Sequence, residues 1–162
     1  MPTTLILMRH AKAVDRLEAE DDFQRGLTAR GREDSAAAAD ALQEEGLKVD
    51  LALVSPSWRT QQTFDQLTPQ IGSPKVDDPM ALYHASTDML ERAVKSVMGP
   101  DQTLLLVGHN PGIGGFAHKL AQRCGATAHL PLGYPTATAC VFELDGTGFD
   151  QPRFRFIFNP KG

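Results

Sequence analysis

Cysteine is scarce in this chain of 162 residues: only Cys124 and Cys140 occur, far apart and without CxxC spacing. That argues against a disulfide framework and reads as two reduced, mostly buried thiols. Long apolar runs are missing as well. None reaches the roughly 18 residues needed to span a bilayer, so no membrane segment is expected. The N-terminus lacks the basic stretch followed by an apolar one that marks a secretory signal, and a cytoplasmic, reducing location is the expectation. Nor is there an excess of positive charge. Lys and Arg number 16 against 20 Asp and Glu, for a net charge of −4. A general nucleic-acid binder carries a basic face, so no nucleic-acid partner is expected, although a local basic pocket remains compatible with the total.

What the chain does have is ordinary for a globular protein: 41% hydrophobic residues and enough length for one core. With no repeat, linker or low-complexity tract, residues 1–162 read as a single domain. Thr3 to Arg9 and Thr103 to Val107 read as strands, with shorter ones at Leu51 to Ser55 and Lys75 to Asp77. Helices are predicted over Thr28–Glu45, Ser57–Leu67, Thr87–Met98 and Gly112–Arg123. Thr28 caps the first, Pro69 and Gly72 close the second, and Gly99-Pro100 ends the third. Ala13–Arg25 is polar and acidic and reads as an exposed loop. Thr138–Leu144 and Arg153–Phe158, around Asp145-Gly146-Thr147-Gly148, read as an antiparallel hairpin. The fold class that follows is α/β, a three-layer sandwich with a mainly parallel central sheet and an antiparallel C-terminal edge.

Two of these strands run into histidine. The first reads Leu5-Ile6-Leu7-Met8-Arg9-His10 and the second Leu104-Leu105-Leu106-Val107-Gly108-His109. Between them lies the turn Val54-Ser55-Pro56-Ser57-Trp58-Arg59. An aliphatic run that stops abruptly at polar residues marks the end of a buried parallel strand, and ligands of open α/β sheets bind just beyond such ends. A neutral imidazole at His10 is a good nucleophile toward phosphorus. Arg9 and Arg59 can each grip two phosphoryl oxygens in a planar fork. His109, if protonated, can donate to an oxygen of the transferring group. A single histidine after a strand is most often structural. Three segments with the same boundary placement point to phosphoryl chemistry.

Leu7-Met8-Arg9-His10-Ala11, Ser55-Pro56-Ser57-Trp58-Arg59-Thr60 and Gly108-His109-Asn110-Pro111 resemble the successive signatures of the histidine phosphatase superfamily, also called phosphoglycerate-mutase-like. The turn Gly26-Leu27-Thr28-Ala29-Arg30-Gly31 is most similar to its small phosphohistidine phosphatase (SixA-like) branch. The resemblance runs from Thr3 to about Phe158. It implies that His10 accepts the phosphoryl group and that Arg9, Arg59 and His109 bind its oxygens. No metal and no cofactor are expected. Arg25 resembles an additional anion-binding arginine of the small branch; its plainer reading is a solvated arginine beside Asp21 and Asp22.

Two departures from the family pattern matter. Ala11 stands where Arg-His is usually followed by Gly, which is tolerable if the residue keeps negative φ. Larger members also place a proton-donating glutamate after the third strand, where this chain reads Asp78-Pro79-Met80-Ala81-Leu82-Tyr83-His84. Asp15, Glu18, Asp78 and His84 are the alternatives, each reading first as structural or solvated. A site without that acid favours phosphohistidine, whose nitrogen leaving group is easily protonated, over an alkyl phosphate.

Gly112-Ile113-Gly114-Gly115-Phe116-Ala117 fits a dinucleotide fingerprint literally, but no acidic residue follows about 20 positions on. A helix N-terminus aiming free N–H groups at an anion is the better reading. His84, His118 and His129 lack the carboxylate or cysteine spacing of a metal site. The expected function is a metal-independent phosphatase working through phosphorylated His10 on protein phosphohistidine. The alternatives are the same chemistry on a small phosphorylated metabolite or nucleotide, and a non-catalytic phosphoryl-binding module.

Overall fold

Leu5, Ile6, Leu7 and Met8 are all apolar because their strand is covered on both faces. In the computed structural model, which describes residues 2–145 and 147–161, each of the four is wholly buried. Alternate residues point to opposite sides. Leu5, Leu7, Leu104 and Leu106 face one layer; Ile6, Met8, Leu105 and Val107 face the other.

The strands are β1 (Thr3–Arg9), β2 (Leu51–Val54), β3 (Lys75–Asp77), β4 (Thr103–Gly108), β5 (Ala139–Leu144) and β6 (Arg153–Phe158). They form one sheet in the order β3-β2-β4-β1-β5-β6. β3, β2, β4 and β1 are parallel, while β5 runs antiparallel to β1 and β6 to β5. Helices α1 (Ala29–Glu44) and α2 (Trp58–Ile71) cover one face through Ala38, Leu42, Phe64 and Leu67. Helices α3 (Thr87–Lys95) and α4 (Gly112–Arg123) cover the other through Leu90, Val94, Phe116 and Leu120. Each such side chain contributes about 1.5–3 kcal/mol by leaving water. The predicted three-layer α/β sandwich with its antiparallel edge is the observed one.

Register determines where the chain emerges. Arg9 is level with Gly108, and Val54 with Val107. The next residues, His10, His109 and Ser55, therefore leave the sheet along one edge, and His10 N donates to Gly108 O at 3.1 Å.

Several boundaries differ from the sequence reading. α2 runs past Leu67 to Ile71 with Pro69 inside it. The Asp65 carbonyl, four residues before the proline and so without its usual N–H, accepts the Thr68 hydroxyl at 3.0 Å instead. α3 stops at Lys95, followed by turns that return to the Val94 carbonyl. β5 and β6 do pair antiparallel, with an irregularity at Val141/Phe142, but residues 145–152 make their connection longer than a tight turn. Gly146, part of the expected turn, lies outside the described residues.

The Ala13–Arg25 segment is more than an exposed loop. Ala13 bridges Leu27, residues Arg16–Glu18 form a 3-10 turn, and Phe23 O accepts Trp58 N at 2.9 Å. This ties the segment to the start of α2, beside the strand ends.

Candidate active site

His10 is buried where β1 ends, and its Nδ1 lies 2.8 Å from Ala11 O. A carbonyl only accepts, so Nδ1 carries the proton and Nε2 holds the free lone pair. Ala11 is not among the residues with positive φ, and its N–H donates to Thr63 Oγ1 at 3.0 Å. The alanine therefore satisfies the condition for standing in place of glycine.

His109, from the end of β4, has its ring centroid 5.3 Å from that of His10. Arg59 Nη2 stands 3.3 Å from His109 Nδ1, and Ser55 Oγ lies 2.7 Å from Nε2. Because a guanidinium only donates, Nδ1 accepts, and the proton of the neutral ring sits on Nε2, donating to Ser55. The neutral ring thus has no proton free for a phosphoryl oxygen, and the donor role read from sequence requires its protonated form. Burial, then His10 and Arg59, press its pKa down to about 2.

The arginines behave as a pair of cations with unused donors. Arg59 is almost wholly buried, and Arg9 gives Nη1 to Tyr134 O at 3.3 Å. Both Nε atoms, Arg9 Nε and Arg59 Nε, are buried without a hydrogen-bond partner among the described residues. Leaving such a group unpaired costs about 1–3 kcal/mol, more for a charged one, and the pair forms a ready donor set for an oxyanion. Burial first, then Arg59, Arg9 and Arg25, lower the pKa of His10 to about 3. The ring is accordingly neutral and nucleophilic at neutral pH.

Above these four residues lies a second group. Asp22 accepts from Arg59 through both its backbone carbonyl (2.7 Å from Nη1) and its carboxylate (3.1 Å from Nη2). It also accepts from Arg25 Nη1 at 3.0 Å, from the Tyr83 hydroxyl, and from His84 Nε2 at 3.1 Å. Burial opposes ionisation of Asp22, yet the bonds from Tyr83, Arg25 and Arg59 outweigh it and hold the carboxyl well below the usual carboxylate range. Arg25 is therefore at the site, with Nε on Val14 O at 2.8 Å; its ion pair with Asp22 and its field on His10 coexist.

The residues that sequence reasoning missed are Asp22, Tyr83 and Ser55. Only the first left a trace, the three-residue spacing of Asp22 and Arg25 that permits a local ion pair. Of the four alternative acids, His84 is the one the chain brings here, with its ring 5.1 Å from that of His109. Among the described residues the Asp78 carboxylate accepts one side-chain hydrogen bond, from Gln61 Nε2 at 3.5 Å. His84 has φ of 57°, a left-handed conformation that costs a non-glycine residue about 1–3 kcal/mol.

The glycine run at the start of α4 serves packing. A Cβ at Gly112 would stand 2.1 Å from the Ala85 carbonyl oxygen, so only glycine lets α4 meet the Tyr83–Thr87 segment. Nor does this helix aim its N–H groups freely at an anion: Ile113, Gly114 and Gly115 donate to His109 O, Asn110 Oδ1 and Pro111 O. The expected helix-terminal anion contact is therefore not formed by these three groups. No described helix is long and apolar enough to cross a membrane.

The family model for the histidine phosphatase superfamily (branch 1) matches residues 5–81. An uncharacterized protein of Picosynechococcus sp. is 33% identical over 127 residues, 77% of this chain and 76% of its own. Among solved structures, the "putative phosphohistidine phosphatase SixA" of Nakamurella multipartitia aligns with a TM-score of 0.84 at 26% identity, covering 100% of this chain and 98% of that one. A protein histidine phosphatase SixA complexed with tungstate aligns at 0.79 and 22% identity, covering 99% and 98%.

Proposed function

The chain belongs to the histidine phosphatase superfamily, and from that premise we propose that it hydrolyses protein phosphohistidine through a phosphoryl-enzyme on His10. The His10 Nε2 lone pair attacks phosphorus while Arg9 and Arg59 hold the oxygens, the substrate's own P–N bond breaks, and its imidazole leaves, taking up a proton. Water then cleaves the P–N bond and inorganic phosphate departs. The observation that carries this reading is the pair of buried, unpartnered Nε donors beside a neutral imidazole. Two guanidiniums supply the positive charge that a metal ion supplies in other phosphoryl-transfer sites, so the reaction proceeds without one. A phosphoryl dianion entering the site favours the protonated form of His109, which can then donate to one of its oxygens.

The choice of a protein substrate is supported by the openness of the site. His84 and Asp22 have side chains 54% and 35% exposed, and Trp58, whose backbone N–H donates to the carbonyl of Phe23, is 48% exposed at the start of α2. An apolar groove of about 550 Å³ adjoins at Asn110 and Tyr134, with Leu132 almost fully exposed on its wall. A protein surface can approach such a shape and dock against it. The name of the tungstate-bound relative, a protein histidine phosphatase, points the same way.

The test is a panel of phosphohistidine protein, phospholysine, phosphoserine and common sugar phosphates, assayed in chelator without added metal. The phosphohistidine protein should have the highest kcat/KM. Sugar phosphates turned over at least as well would move the assignment to a small metabolite, and activity only with added metal would overturn the mechanism.

A further inference from the structure

We propose that His84 is the proton donor and acceptor of the reaction, with Asp22 as the residue that positions it. This rests on the phosphatase reading and supplies the acid that the Asp78–His84 sequence lacked as a glutamate. Three observations carry it. The His84 ring lies 5.1 Å from the ring of His109, which in turn is 5.3 Å from His10. Its Nε2 stands 3.1 Å from Asp22 Oδ2, which can only accept; the tautomer is therefore fixed with a proton on Nε2, and Nδ1 makes no hydrogen bond among the described residues. Its backbone is held at φ 57° by a chain segment locked onto α4 through the Gly112 and Ala85 contact and the 2.9 Å bond from Thr87 Oγ1 to Gly112 O. A non-glycine residue in a left-handed conformation, exposed yet pinned, is a pattern found at functional sites.

The proton balance is complete without another reactant. In the first step the P–Nε2 bond to His10 forms, the bond to the leaving oxygen or nitrogen breaks, and the His84 imidazolium, which carries a proton on each nitrogen, gives its Nδ1 proton to that atom. In the second step neutral His84 takes a proton from water as the water oxygen attacks phosphorus, and the electron pair of the P–N bond returns to His10. The groups that face His84 are Asp22 from the Ala13–Arg25 segment, Tyr83 beside it and His109 from β4, with Arg25 and Arg59 behind Asp22. Tyr83 is held protonated, its pKa raised by burial and by the bond to Asp22, and so does not compete as the base.

The experiment measures kcat/KM on 4-nitrophenyl, phenyl and alkyl phosphates for the wild type, His84→Gln and His84→Asn. Asn is included because it adopts positive φ readily. Loss of a general acid costs about 10²- to 10⁴-fold where the leaving group needs it. Losses should grow from roughly tenfold on the nitrophenyl ester to a thousandfold or more on the alkyl ester, and the alkaline limb of the kcat/KM profile should disappear. Asp22→Asn should shift that limb while keeping part of the rate. A uniform loss across esters with the limb unchanged, in folded protein that still takes phosphoryl label on His10, overturns the role of His84 alone. A wild type that neither turns over phosphohistidine protein nor takes phosphoryl label on His10 overturns the phosphatase reading and this one with it. Should both variants fail to fold, the wild type decides: a solvent deuterium isotope effect present on the alkyl ester and absent on the nitrophenyl ester supports the proton transfer, and none on either refutes it.

Discussion

The four residues of the site floor, His10, Arg9, Arg59 and His109, and the four of its rim, Asp22, Arg25, Tyr83 and His84, are held by different means. The floor hangs on backbone register: β1, β2 and β4 end level with one another, and each delivers a side chain into the same space. The rim hangs on a single carboxylate, to which Arg25, Arg59, Tyr83 and His84 all donate. The floor is buried, apart from the half-buried Arg9, and its geometry is as stable as the sheet. The rim is partly exposed and its geometry depends on charge. A phosphatase can thus keep its chemistry constant while its rim sets which leaving groups and partners are accepted.

The sharpest test of this division is His10→Ala. Loss of the nucleophile should reduce turnover by more than about 10,000-fold and abolish covalent labelling. The sheet should be unaffected, as read by circular dichroism and thermal melting. Retained turnover would mean that the floor is not where the bond is made.

Arg59→Lys comes next, because Arg59 belongs to both regions. Lysine keeps the charge but loses the planar fork, the bond to His109 and one of the two contacts with Asp22. The rate should fall on the order of 10- to 100-fold, about 1.4–2.8 kcal/mol. Wild-type rates would show that floor and rim are independent of each other.

A third test uses acid. His10 and His109 are buried neutral, with pKa values lowered from 6.5 to about 3 and about 2. Between these values and 6.5 the unfolded chain binds more protons than the folded one, so stability is full above pH 6.5 and falls as the pH drops. Each histidine contributes a slope of up to about 1.4 kcal/mol per pH unit, roughly tenfold in the unfolding equilibrium. Urea melts between pH 5 and 6.5 should reveal this slope, and His10→Gln should remove about half of it. That window stays above the range in which the rim carboxylate titrates, so the floor is read alone.

The smallest expected effect belongs to the rim. Asp22→Asn removes the negative charge that occupies donors of Arg25 and Arg59. Phosphate or vanadate should bind about three- to fivefold more tightly, by inhibition or calorimetry, on the order of 1 kcal/mol as for other partly exposed charge contacts. Weaker binding would mean that Asp22 chiefly aims Arg59, and that the rim is as structural as the floor.

The same division explains what was legible before folding. Strand ends announce themselves, because an aliphatic run must stop where its covering layers stop, and His10, Arg9, Arg59 and His109 all sit at or just beyond such stops. Tyr83 and His84 meet Asp22 from about sixty residues away. No periodicity encodes that contact. The Ala13–Arg25 segment looked solvated because most of its acidic residues are, and one inward carboxylate among five is indistinguishable by composition. Pro69 misled for a related reason: a hydroxyl one residue earlier satisfies the carbonyl it leaves open, and so α2 continues.

The bond from His10 Nδ1 to the Ala11 carbonyl has a chemical corollary. With that nitrogen occupied by its own proton, only Nε2 can form a bond to phosphorus. A phosphoryl group taken up by His10, as proposed above, should therefore form a single regioisomer, τ-phosphohistidine, and not the π form. Phosphorus NMR or an isomer-selective antibody on the trapped protein reads that outcome directly, without any substrate having been identified.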